Sequence, residues 1–150
     1  MKFVFRLEAV LKQRQQVEAE AQREYLQAKA QLDECLERIE VCYRDIRQTR
    51  QQIAEAEKSA RVGSLDWIQQ AESYMKGLEI KIHRERQTAR EHMMEVEAKQ
   101  EVLVEAAKER KAMDVLRERK WQEHRALLRK MESKELDDIS VMRAKRSQLR

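Results

Sequence analysis

Residues 21–60 read AQREYLQAKA QLDECLERIE VCYRDIRQTR QQIAEAEKSA, and the spacing of their apolar residues decides the fold. Steps of four and three, begun upstream at Leu7, reach Leu7, Leu11, Arg14, Glu18, Ala21, Tyr25, Ala28, Leu32, Cys35, Ile39, Cys42, Ile46, Thr49, Ile53, Ala56 and Ala60. Thirteen of these sixteen positions are apolar or nearly so, and one register holds for almost eight heptads. An unbroken 3.5-residue repeat marks a helix that lays a narrow seam against a partner helix. The larger residues (Leu11, Tyr25, Leu32, Ile39, Ile46, Ile53) share one seam position, and the smaller ones (Ala21, Ala28, Cys35, Cys42, Ala56) share the other. Such segregation predicts close, asymmetric packing.

The repeat breaks at Arg61-Val62-Gly63-Ser64-Leu65-Asp66. Gly63 suits a left-handed helix end, Ser64 an N-cap, and Asp66 the positive end of a second helix. A connection this short makes the two helices antiparallel. The second seam steps through Ile68, Ala71, Met75, Leu78, Ile82, Glu85, Ala89, His92, Val96, Lys99, Leu103, Ala106, Arg110 and Met113. Beyond Met113 the register drifts, with Leu116, Trp121, Leu127, Leu128, Met131, Leu136, Ile139, Val141 and Met142 as its apolar residues. The expectation is all-α: one long antiparallel two-helix coiled-coil hairpin over 1–150, with helix one over about 3–60, a turn at 61–65 and helix two over about 66–145. If Ala60 opposes Asp66, position i faces position 126−i. Residues after about 120 then form a C-terminal helical overhang ~45 Å long at 1.5 Å per residue. An isolated polar helix of that kind is marginal in water, and it asks for a partner surface.

Composition agrees with solvated helices. The 150 residues include no Pro, two Gly, 5% aromatic and 40% charged residues. That is too few apolar residues for a compact globular core, and the abundance of helix formers argues against disorder. Net charge is +4, distributed unevenly. Residues 1–106 hold 18 basic and 20 acidic residues, net −2; residues 107–150 hold 14 basic and 8 acidic, net +6. The basic C-terminal part can meet an acidic surface. No apolar run approaches the ~18 residues of a membrane span, so no direct membrane insertion is expected. The short apolar start is too small for a secretory signal, so a cytosolic location is expected. Cys35 and Cys42, ~10 Å apart along a helix, are too distant for a mutual disulfide and read as small seam residues.

Chemistry-bearing patterns are missing from the sequence. His83, His92 and His124 lie too far apart to ligate a metal from one helical face, and there is no P-loop, zinc spacing or nucleophile constellation. No enzyme activity, metal or cofactor is expected. Acidic residues interrupt the basic tail throughout, which favours a solvated face over nucleic-acid binding. The charged seam residues Arg14, Glu18, Glu85, Lys99 and Arg110 read as register-setting interruptions. By the 126−i rule Lys99 falls near Gln27 and Arg110 near Gln16, so no clean salt bridge is predicted. Trp67 reads as packing over the bend, while Trp121 divides evenly between hairpin packing and a partner contact.

Three stretches resemble one family. Phe3-Val4-Phe5-Arg6-Leu7-Glu8-Ala9-Val10-Leu11 with Arg14 looks like its start; Gly63, Trp67, Tyr74, Leu78 and Ile82 resemble its midpoint; Glu109-Arg110-Lys111, Leu116 to Lys120 and Lys134-Glu135-Leu136-Asp137-Asp138-Ile139 resemble its tail. In order and spacing the chain resembles the FliJ family, stalk proteins of the bacterial flagellar type III export ATPase. The resemblance implies a hairpin similar to the central shaft of rotary F-type ATPases. It also implies three partners: the hexameric flagellar export ATPase, whose ring it enters; the export gate membrane protein; and export chaperones. On that basis Phe5, Arg6, Leu7, Arg117, Arg119, Lys120 and Trp121 are candidate ATPase-ring contacts. Tyr74, Leu78, Lys81 and Glu85 align with the gate-contacting face, although the family carries smaller or less charged residues at the last two places. The implied location is cytoplasmic, peripheral to the inner face of the cell membrane through the export apparatus, with a monomer when free. Rival readings are the equivalent stalk of a virulence secretion system and a generic coiled-coil scaffold, the latter distinguished by concentration-dependent dimers.

Overall fold

A computed structural model describes residues 2–59 and 64–149. Two helices account for nearly all of them: α1 over Glu8–Ser59 and α2 over Ser64–Gln148. They pack against each other as a helical hairpin, with no strand among the described residues. Gly63 and most of the expected turn lie outside the described residues. The second helix starts at Ser64, two residues before its expected start, and runs three residues past its expected end.

The first helix departs more from its expected span. It starts at Glu8 instead of residue 3. The Phe5 carbonyl accepts the Glu8 amide at 3.2 Å in a turn, and Glu8 puts an acidic group in the first helical turn, where the helix dipole favours it. Phe3 and Phe5 explain why the helix does not extend further. Phe5 is buried, and Phe3 meets Trp121 edge-on at 5.2 Å between ring centroids. Burying the Phe5 ring and packing Phe3 against Trp121 outweigh the few backbone bonds that another helical turn would add.

Contacts divide the chain into two compact units. One comprises residues 20–104. In it Cys35 pairs with Glu85 and Glu24 with Lys99, so the two helices run antiparallel. Its densest core is Cys42, Ile46, Leu78 and Ile82, with Ile39, Tyr43 and Met75 packed around them. Ala21, Ala28, Cys35, Cys42, Ala71 and Ala89 are buried, whereas Tyr25, Leu32, Ile39 and Ile53 are half-buried. Small residues let the facing backbone come close, and larger ones wrap the flanks of the seam. The division by size is incomplete, since Ile46 is buried with the small residues and Ala56 is half-buried.

The other unit comprises residues 1–19 with 105–150. Glu8 pairs with Arg117 and Arg14 with Glu109, again antiparallel. Its buried apolar residues are Phe5, Leu11 and Ala106. From residue 125 to 149 every described side chain is exposed except that of Leu128, which is half-buried. The helix nevertheless continues to Gln148.

Candidate functional site

The seam charges come first, because they decide which cations remain available. All five charged interruptions are paired across the seam, contrary to the expectation of no clean salt bridge. Arg14 meets Glu109 at 2.5 Å, Arg110 joins Glu18, Lys99 reaches Glu24 at 3.1 Å, and Glu85 pairs with Arg38 at 3.2 Å. The 126−i rule fails by only a few positions: Arg38, expected opposite residue 88, pairs with Glu85. Long side chains reach diagonally along a facing helix, so the nearest backbone neighbour does not decide the partner. Arg110 also binds Asp114 one turn on at 2.7 Å. Its guanidinium is held well above its ordinary range, chiefly by the hydrogen bond to Glu18.

Cys35 and Glu85 form a thiol–carboxylate contact. The Cys35 thiol donates to the Glu85 carbonyl oxygen at 3.2 Å and lies 3.3 Å from its carboxylate. Burial is the largest cause that pushes this thiol up, and Glu85 adds to it. The Glu85 carboxyl is held below the usual carboxylate range, first by the thiol's hydrogen bond and then by Arg38. Cys35 and Cys42 are both free and buried, as small seam residues should be.

Residues 2–7 and α2 build the most distinctive surface of the molecule. Lys2 to Leu7 cross α2 as a strap, and together they enclose an open cleft of about 850 Å³ whose far wall carries Leu116, Lys120, Glu123, His124 and Leu127. Phe3 packs against both Trp121 and His124, with centroids at 5.2 and 5.5 Å, and those two rings stack on each other at 6.3 Å. Arg125 sits over the Trp121 ring at 6.0 Å. Trp121 therefore packs against its own chain while keeping 39% exposure.

The residues expected at the open end gather here in different states. Phe5 is buried and anchors the strap. Arg6, Leu7 and Arg119 are exposed. Arg117 is paired with Glu8 and Lys120 with Glu123, both at 3.2 Å. Phe3, Val4, Leu116, His124 and Leu127 also belong to this surface, although heptad stepping does not select them. Their signal is the aromatic pair spaced by one residue at 3 and 5, which fits extended chain better than helix.

The four residues at the start of α2 do not make one exposed face. Leu78 is buried in the core beside Ile82, and Glu85 is engaged by Arg38 and Cys35. Tyr74 and Lys81 remain exposed. A 4-3-4 step that includes Leu78 and Glu85 follows the seam itself, so two of the four side chains must turn into the facing helix. Trp67, expected to cover the bend, is 40% exposed.

Among the described residues no three His, Cys, Asp or Glu side chains come together as a metal-binding group, and no helix is long and apolar enough to cross a membrane. The family model described as "Flagellar FliJ protein" matches residues 1–149. No curated protein and no solved structure matches significantly.

Proposed function

Because the chain belongs to the FliJ family and is thus a non-catalytic component of flagellar protein export, we propose that it acts as the central stalk of the export ATPase. In this reading the strap and the basic, unpaired part of α2 enter the hexameric ring. They promote its assembly and activity and link it to the export gate and to export chaperones, on the cytoplasmic face of the membrane. The observation that carries the reading is the excess length of α2. Beyond Leu128 a helical stretch exposes Met131, Leu136, Ile139, Val141 and Met142 to solvent. An apolar series of that kind calls for a covering surface.

A two-helix hairpin has no sixfold symmetry, so six identical subunits must meet it unequally. Any difference in its affinity for two subunit conformations shifts their populations. Such a bias couples nucleotide state to stalk position without a catalytic group on the stalk. Exposed Tyr74 and Lys81 are the positions left for the gate contact, since Leu78 and Glu85 serve the hairpin. The family match favours the flagellar over the virulence system.

Co-purification with the flagellar export ATPase tests this. Full-length protein should bind and raise ATP hydrolysis, and a form ending at residue 128, which keeps the strap's packing partners, should bind weakly. Absence of binding by the full-length protein would sink the reading.

A further inference from the structure

The cleft beneath the strap has a definite chemistry. Its apolar lining comes from Phe3, Val4, Leu7, Leu116 and Leu127. Two of these are left largely in water: Val4 is 78% exposed and Leu127 53%. Around them the charge is one-sided. Of the residues that line the cleft, Lys2, Arg6 and Lys120 are basic and Glu123 is acidic, net +2. Glu123 already has a partner within the chain, accepting from Lys120. Among the described residues Lys2, Arg6 and Arg119 enter no ion pair, and Arg125 lies over Trp121.

We infer that this cleft receives a large apolar side chain from an acidic helical segment of a partner protein, whose flanking carboxylates meet Lys2, Arg6 and Arg119. The cleft is lined by one stretch of α2, from Leu116 to Leu127, and Phe5 in its lining is buried. A knob from a second helix therefore needs no rearrangement of the strap to enter, which limits the ordering cost of binding. The cations draw in the acidic segment and orient it, and the apolar side chain supplies the burial. For its partner the inference rests on the stalk reading above, with the acidic segment belonging to the ATPase ring.

The test uses full-length protein and the purified flagellar export ATPase. Affinity is measured for the wild type, Leu127→Glu and Arg6→Glu. Both substituted side chains are exposed, and helicity by circular dichroism checks that each variant is folded. A photo-crosslinking residue at position 4 then identifies the segment that is reached. Each substitution should weaken binding about tenfold or more, as for a central interface contact. Wild-type affinity should fall as salt is raised, because the Debye length shortens from about 10 Å at 0.1 M to about 3 Å at 1 M. The crosslink should land in a segment rich in Asp and Glu with a large apolar residue. If the wild type binds but both variants bind equally well, or the crosslink falls in a neutral or basic segment, the acidic-knob inference is overturned and the stalk reading stands. If the wild type does not bind at all, both fall. A crosslinked segment with carboxylates but no large apolar residue also overturns the inference, since the cleft would then have no occupant.

Discussion

At the scale of single residues, burial and charge pairing divide the work of the seam. Ile46, 5% exposed in the core beside Cys42, Leu78 and Ile82, is an apolar contact with little room to relax. Ile46→Ala should cost about 2–4 kcal/mol, within the range for large-to-small core changes, measured by urea denaturation of the full chain. Glu85 contributes through charge. Its carboxyl lies below the ordinary value, so the stability it lends is fully present above the unfolded carboxylate range and is lost as pH falls through the folded value. Thermal melts should therefore be flat from neutral pH down to about 5 and then decline. Glu85→Gln should reduce the acid-dependent part of that decline. An unchanged pH profile in Glu85→Gln would show that other carboxylates dominate.

At the scale of elements, the same two helices are joined differently in the two units. In residues 20–104 the contact is chiefly apolar, with a polar cluster at Cys35, Arg38 and Glu85. In residues 1–19 with 105–150 few apolar residues are buried, and three ion-pair rungs join the helices: Glu8–Arg117, Arg14–Glu109 and Glu18–Arg110. Exposed ion pairs are weak and screened by salt, while apolar burial is not. Amide exchange in residues 8–19 and 105–118 should accelerate on going to high salt, and exchange in the core around Ile46 and Ile82 should change little. A charge swap probes one rung directly. Glu18→Arg and Arg110→Glu should each destabilise the chain, the double swap should recover part of the loss, and the cycle should give a coupling of about 0.5–1 kcal/mol.

At the scale of the whole molecule, pairing within the chain competes with pairing between chains. Each charged seam position finds an opposite charge on the other arm, a condition that a parallel or shifted pairing of two chains would not meet. Light scattering over a range of concentrations should give the mass of one chain throughout. A mass that rises with concentration would mean that helices pair between chains.

Much of the fold was legible before any coordinate. Every second-seam position from Ile68 to Met113 is at least half-buried, and so is every first-seam position from Leu11 to Ala56. Heptad spacing suffices there because a helix has one rotational setting that hides a 3.5-residue stripe, and that setting is local to the sequence. The candidate site was less legible. The basic end stood out by composition and Phe5, Arg6 and Leu7 by family resemblance, but a 3.5 period says nothing about a segment that is not helical. Whether Phe3 and Phe5 extend α1 or fold across α2 depends on Trp121 and His124, more than a hundred positions away. The partners of Arg14, Lys99 and Arg110 likewise depend on how far long side chains reach along a facing helix. The sequence by itself therefore determined the two helices, their antiparallel pairing and the faces they bury, all of them consequences of local periodicity and one short connection. Only the tertiary structure decided which charges neutralise one another, that Leu78 and Glu85 point inward, and that the first residues form a cleft. Those outcomes depend on contacts between residues far apart in the chain.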